Sequence, residues 1–139
     1  MERKIKFRAK HVHSFLPNKH LDGSWVYGYL ANKDYIYSKE LEGEFLIDQK
    51  TIGQCVGFED CKGIEMFEGD IIQRNILGEK VIGEIIWSDL GGTGFCLKVK
   101  IDCGSSLYPI GRGRFDDDEE EKCNDIILGN IYDNPKLIQ

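Results

Sequence analysis

Short apolar stretches separated by glycine-containing turns recur along this chain at spacings of about ten residues. Sixteen glycines supply turns, and only three prolines interrupt the stretches between them. No window shows apolar residues repeating every 3.6 positions, so no amphipathic helix is predicted. Evenly spaced strands joined by tight turns are typical of barrels and sandwiches. The sequence therefore predicts an all-β fold, and 139 residues suffice for one domain with two subdomains.

The first predicted strand alternates basic and apolar side chains along residues 4–9. Because successive side chains of a strand point to opposite faces, the bases share one face and the apolar residues share the other. His11 and His13 continue the alternation. An H-x-H pair needs a third ligand to hold a metal, and His20 supplies one only if the chain folds back. We interpret these imidazoles as solvent-facing and predict no metal site.

Two aromatic stretches, Trp25–Leu30 and Asp34–Ser38, form the next predicted hairpin. Their rings either pair across the strands to cover a small sheet or form a stacking platform for bases or sugars. A hairpin of this size is too small to bury every ring by itself. Rings exposed together form an apolar patch of the kind that marks protein contacts. Trp25, Tyr27 and Tyr35 are therefore the candidate interaction surface.

The rest of the chain is organised around the stretch from Cys61 to Trp87. Two apolar runs flank the loop Leu77–Lys80, which predicts an antiparallel hairpin at the entry to a small barrel. Gly69 precedes the first run, and we expect it in a backbone conformation that other residues reach only with strain. Asp70 is expected to cap the same turn through its carboxylate.

The acidic excess of the chain lies in one segment. Its 24 Asp and Glu against 18 Lys and Arg give a formal net charge of −6, and residues 116–121 are six consecutive carboxylates. A block of like charges repels itself, so we interpret this segment as a solvated loop. Contact with a basic partner or with a divalent cation is the alternative, although the block lacks the alternating ligand spacing of a calcium loop.

The negative charge also weighs against nucleic acid, because neutralisation of phosphates by Lys and Arg drives that binding. A nucleic-acid-binding barrel stays open as an alternative because Lys4, Lys6, Arg8 and the pair Arg112 and Arg114 accompany the aromatic residues. We nevertheless expect no measurable binding to duplex DNA at physiological salt.

The sequence predicts neither a cofactor nor a catalytic centre. Its five cysteines form no C-x-x-C pair and are interpreted as reduced thiols. Without a basic-then-apolar leader or a long apolar run, the chain is expected to be soluble and cytoplasmic. Glu68, Asp70 and Asp89 are acid–base candidates, but no nucleophile elbow, P-loop or metal triad accompanies them. We therefore predict that the protein is not an enzyme.

Short motifs spread over nearly the whole chain carry a resemblance to a known family. These motifs are Lys6–Ala9, Thr51–Gln54, Gly57 with Asp60, Gly63, Phe67–Ile72 and Gly129–Pro135. In this order they resemble the YopX family, small proteins encoded by bacteriophages and prophages of Gram-positive bacteria. Lys10-His11 stands where that family usually has Trp-Asp, whereas the turn after Gly57 keeps its glycines.

The resemblance implies an all-β fold with an N-terminal β subdomain, residues 1–60, and an SH3-like barrel, residues 61–139, in one folding unit. It implies no enzymatic activity and no cofactor. The shared residues have structural explanations, since glycines permit sharp turns and close approaches, and proline ends strand pairing. The structural motif residues are Gly69, Asp70, Gly129, Asn130, Tyr132 and Pro135.

Three classes of function follow, in order. The first is a non-catalytic phage or prophage accessory protein of the bacterial cytoplasm that acts through protein partners and forms a homo-oligomer. The second is a nucleic-acid-binding small β-barrel, and the third is an uncharacterised enzyme. The first ranks highest because the distinctive residues of this chain serve turns and core packing.

Overall fold

The computed structural model describes residues 5–12, 23–88, 94–110 and 124–138. Within these ranges the chain forms eleven strands and two short 3-10 helices, Gln49–Thr51 and Pro135–Ile138. The all-β prediction is confirmed. None of the helices in the described part is long and apolar enough to cross a membrane.

The chain divides into two compact units, Met1–Cys55 and Val56–Gln139, whereas the sequence placed a boundary between residues 60 and 61. The strands of the first unit are β1 (Phe7–Lys10), β2 (Trp25–Asn32), β3 (Tyr35–Ser38), β4 (Gly43–Leu46) and the start of β5 (Gly53–Glu59). Those of the second are the end of β5, β6 (Glu65–Phe67), β7 (Asp70–Ile76), β8 (Glu79–Ser88), β9 (Gly94–Ile101), β10 (Gly104–Pro109) and β11 (Ile126–Asn130).

The strands of the first unit are ordered β4-β3-β2-β1-β5, with antiparallel pairing throughout. One face of this sheet is apolar because the buried side chains recur at every second position. Burying an Ile, Val or Phe side chain contributes about 1.5–3 kcal/mol, so burial of this face stabilises the unit. The buried core residues are Ala9, Val26, Ile36, Phe45 and Ile47.

The sheet of the first unit curls until its flanks meet through backbone hydrogen bonds. The Val12 N–H donates to the Leu46 carbonyl at 3.1 Å, and the Asp48 N–H donates to the Lys10 carbonyl at 2.9 Å. Between these bonds, His11 and Ile47 form a β-bridge. The end of β1 therefore pairs with the segment that follows β4, and the apolar face becomes an enclosed core.

His11 lies inside this core, which makes the prediction of a solvent-facing imidazole wrong. Its side chain is only 4% exposed, and its ring packs edge-on against Phe45 at a centroid distance of 5.5 Å. Nδ1 donates to the Leu46 carbonyl oxygen at 2.6 Å, because a carbonyl can only accept. His13 and His20 lie outside the described residues, within which no cluster of three or more potential metal ligands occurs.

The second unit contains a five-stranded antiparallel sheet in the order β10-β9-β8-β7-β11. Its central hairpin joins β7 to β8 through a two-residue turn in which Leu77 has φ 52° and Gly78 has φ 85°. Positive φ at both positions matches the right-handed twist of the strands. The observed loop, residues 77 and 78, is therefore shorter than the predicted loop Leu77–Lys80. The buried core residues are Met66, Ile72, Ile85, Leu97 and Val99.

Arg74 brings the two edges of this second sheet together. Its Nη1 donates to the Pro109 carbonyl of β10 at 2.9 Å, while Nε and Nη2 donate to the Asp125 carboxylate, next to β11, at 2.5 and 2.8 Å. Four strand spacings would hold β10 and β11 about 19 Å apart in a flat sheet. One guanidinium contacts both edges, so the sheet must curl. The finer assignment to an SH3-like barrel stays a prediction.

Candidate interaction surface

Four tyrosines lie together on the outer face of the first unit. Tyr27 and Tyr29 belong to β2, Tyr35 and Tyr37 belong to β3, and Tyr29 stands directly opposite Tyr37. Opposed residues of antiparallel strands share a face, and the buried core residues alternate with these rings. The four rings therefore point away from the core. We refer to Tyr27, Tyr29, Tyr35 and Tyr37 as the tyrosine face.

The structure places the three sequence candidates along the same two strands, with Trp25 near one end of β2 and Tyr35 opposite the other end, and two rings that are more exposed lie between them. Tyr27 and Tyr35 are 37% and 36% exposed and Trp25 is half-buried, whereas Tyr29 reaches 60% and Tyr37 reaches 42%. The signal for the additional pair is the period-two alternation, which places Tyr29 on the face of Tyr27 and Tyr37 on the face of Tyr35.

A basic row lies beside these rings and consists of Lys6, just before β1, and of Arg8 and Lys10 on the outer face of β1. Lys6 Nζ lies 5.7 Å from the centre of the Tyr27 ring. Arg8 Cζ lies 4.6 Å and Lys10 Nζ 5.5 Å from the centre of the Trp25 ring. These distances lie within the range of cation–π attraction. The β1 flank of the aromatic surface is therefore cationic, and Arg8 is buried there.

The two units carry opposite formal charges. Residues 1–55 contain nine Lys and Arg against seven Asp and Glu, a net charge of +2. Residues 56–139 contain nine against seventeen, a net charge of −8. On the outer face of the first unit, the carboxylate of Glu44 lies on β4, opposite Tyr37 and away from the basic row. An anionic ligand is therefore attracted to the β1 flank of this surface.

Gly28 lets β2 and β3 approach closely beneath the tyrosine face. A Cβ at this position would overlap the Tyr37 carbonyl oxygen and lie 3.3 Å from Ile36 Cγ2. Glycine inside a strand often marks such a close backbone approach. The sequence Tyr27-Gly28-Tyr29 thus combines two outward rings with the one residue type that fits between them.

The motif residues Gly69 and Asp70 form the turn between β6 and β7. Gly69 has φ 90°, in the left-handed region, as predicted from the sequence. Asp70 is buried, and its Oδ2 accepts the Phe67 N–H at 2.8 Å, so the carboxylate does cap the turn. The backbone of Gly69 also donates to Ile85 and accepts from Ile131, each at 2.9 Å. These contacts hold the turn against β8 and the final segment.

The motif at the end of the chain forms a second folded turn. Asn130 Oδ1 accepts the N–H of Tyr132 at 3.0 Å and that of the next residue at 2.9 Å. Asn134 Oδ1 accepts the Asn130 N–H at 3.3 Å, and a Cβ on Gly129 would lie 2.7 Å from the Asn134 Cγ. Pro135 begins the last 3-10 helix. Each of these motif residues contributes to the fold.

The other residues considered in the sequence analysis either have structural roles or lie outside the described residues. Asp70 binds backbone, Glu68 is half-buried in the same turn, and Asp89 lies outside the described residues. Arg112, Arg114 and the acidic residues 116–121 also lie outside them. The four described cysteines form no disulfide with one another.

Comparison with curated proteins finds no match. The profile of the family described as YopX protein matches residues 6–139. The matched range begins at the basic row and extends through both motif turns of the second unit. The chain therefore belongs to the YopX protein family.

Proposed function

We propose that this chain is a non-catalytic accessory protein that binds other proteins, including a second copy of itself, through the tyrosine face. The observation that carries the proposal is the set of four tyrosines, 36–60% exposed, on two adjacent strands. None of the four belongs to either buried core cluster. A phage or prophage setting and the cytoplasm of a Gram-positive host belong to the same proposal and rest on the motif resemblance.

Tyrosine suits a protein contact for physical reasons. Its ring buries a large area with only two rotatable side-chain bonds, so ordering it costs little entropy, and its hydroxyl finds a hydrogen-bond partner at the rim. Tyrosine is accordingly enriched at protein interfaces. By contrast, Asp70 and Asn130 of the second unit are occupied by backbone groups.

Binding of single-stranded nucleic acid is the second candidate function for the same surface. The basic row beside aromatic rings favours it, because such sites combine cations for phosphates with rings for stacking bases. Two observations rank it lower. The chain's own cations already lie over the rings of Trp25 and Tyr27, and the net charge is −6.

Light scattering across a concentration series tests the proposal. We expect the molar mass to rise above the 15.9 kDa of one chain as concentration increases. The double variant Tyr29→Ser/Tyr37→Ser should remain near 15.9 kDa. As a matched control, Phe58→Ser/Leu77→Ser removes two exposed apolar side chains outside the face and should associate like the wild type. A wild-type mass of 15.9 kDa throughout would rule out self-association.

A further inference from the structure

The chain carries both a cationic aromatic surface and a strongly anionic segment. Residues 116–121 are six consecutive carboxylates, and the basic row lies on the outer face of β1. We propose that the tyrosine face and the basic row of one copy bind the acidic segment of a second copy. This inference rests on the proposed self-association and names the segment that occupies the surface.

The basic row supplies charge where the segment would bind. Lys6 and Lys10 are half-buried, with their ammonium groups 5.7 and 5.5 Å from the ring centres of Tyr27 and Trp25. A carboxylate is attracted by these positive charges whatever partners the ammonium groups have within their own chain. Arg8 lies between Lys6 and Lys10 in the sequence. It is buried and adds positive charge beneath the surface.

The tyrosines supply hydrogen-bond donors. Each phenol donates an O–H, and its bond to a carboxylate is stronger than a bond between neutral groups because the acceptor is charged. Tyr29 and Tyr37 face solvent side by side, directly across the strand pair. Lysines at the flank and hydroxyls toward the centre are therefore the chemistry that recognises carboxylates.

The length and the charge of the acidic segment also fit this surface. Six residues span at most about 21 Å when fully extended. Lys6 and Lys10 stand four residues apart, about 13 Å along a strand, so such a segment covers the row with length to spare for neighbouring tyrosines. The first unit of one copy, at +2, attracts the second unit of another copy, at −8. The second units of two copies repel each other. Glu44 directs an acidic segment away from the β4 flank.

Peptide binding tests the recognition step. The probe is a fluorescein-labelled peptide of residues 115–122, titrated by anisotropy with full-length chain in which the six carboxylates are changed to Asn and Gln. We expect saturable binding that weakens as salt is added. Lys6→Gln/Lys10→Gln should weaken it about tenfold, which is what losing two partly desolvated ion pairs implies.

The matched control removes equal charge elsewhere in the same unit. Lys33 and Lys39 lie in exposed turns at either end of β3. Lys33→Gln/Lys39→Gln should leave peptide affinity unchanged. Equal losses in the two double variants would show a general attraction between charges and overturn the assignment to this face. A stronger affinity of the neutralised chain for twelve-nucleotide oligothymidine than for the peptide would assign the face to nucleic acid instead.

Light scattering of the neutralised chain separates this inference from the proposed function. We expect a mass near 15.9 kDa at concentrations at which the wild type associates. If the neutralised chain still associates like the wild type, self-association stands and the acidic segment is not its occupant. If the wild type itself stays at 15.9 kDa, the assignment to a second copy fails together with the proposed self-association.

Discussion

The two units close the same kind of sheet by different means. In the first, backbone bonds from Val12 to Leu46 and from Asp48 to Lys10 join the flanks. In the second, the Arg74 side chain joins Pro109 of one edge to Asp125 beside the other. The backbone hydrogen bonds that close the first unit do not require particular outward side chains. The curl of the second sheet, by contrast, depends on the ion pair between Arg74 and Asp125.

We infer that this difference separates the residues that serve folding from those that serve binding. The second unit uses its motif residues, such as Gly69, Asp70 and Asn130, in turns. The core residues of the first unit lie on its inner face, and its outer face carries exposed rings and cations. We infer that substitutions on the outer face of the first unit change association, whereas substitutions in the closing contacts of the second change stability.

The largest expected effect is the loss of the second unit's closing ion pair. Arg74 and Asp125 are only 14% and 10% exposed in their side chains. Asp125→Ala leaves the guanidinium without its charged partner and should lower the free energy of unfolding by about 3–5 kcal/mol. Urea denaturation measures this change. Asp102→Ala, at an exposed carboxylate of the same unit, is the control, and equally small losses in both variants would contradict side-chain closure.

A smaller decrease in the free energy of unfolding is expected for a substitution at Gly28 in the first unit. Gly28→Ala places a Cβ on the Tyr37 carbonyl and should cost about 2–3 kcal/mol, because the strands must separate. Gly57→Ala is the matched control, since Gly57 has φ 94° but nothing within 4 Å of an added Cβ. Backbone strain alone should cost it about 1 kcal/mol. Equal costs in denaturation curves would argue against a close approach of β2 and β3.

Gly69→Ala should destabilise the second unit by somewhat more than about 1 kcal/mol, since its φ of 90° is strained for any residue with a Cβ. Thermal unfolding measures the change. Glu68→Ala alters the neighbouring turn position without a positive φ and should cost less. A Gly69→Ala melting curve that overlays the wild type would remove the strained-turn interpretation.

The smallest effect concerns pH. Burial raises the pKa of Glu84, and attraction to Lys98 lowers it in part. Between the ordinary glutamate pKa and this raised value, the folded state binds more protons than the unfolded state, so stability falls as pH rises through that window. Glu84→Gln should flatten this dependence and slightly raise the free energy of unfolding at pH 7. A loss of stability at pH 7 would mean that the attraction of Lys98 outweighs burial.

Local patterns predicted much of this fold. Period-two alternation identified the strand around Phe7, and runs of β-favouring aromatic residues identified the hairpin that carries the tyrosines. The position of Gly69 before an apolar run identified its positive φ. These features depend on nearest neighbours in sequence, which is why they can be read from it.

Other features depend on distant residues. Arg74 and Asp125 are 51 positions apart, and neither lies in a motif that suggests the other. β10 arises from Gly- and Ser-rich residues of low strand propensity that pair with β9, so tertiary context decides its structure. At His11 the local pattern was right and the interpretation was wrong. Alternation placed His11 on the face of Phe7 and Ala9, but its polarity led us to predict a solvent-facing side chain.

Hydroxyl-radical footprinting across a concentration series tests the central claim most directly, that the outer face of the first unit is the working surface. Trp87 of the second unit is 49% exposed and serves as the internal reference, against Tyr29 at 60% and Tyr37 at 42%. As concentration rises, oxidation of the two tyrosines should fall while that of Trp87 stays constant. Protection of Trp87 with unchanged tyrosines would contradict the account.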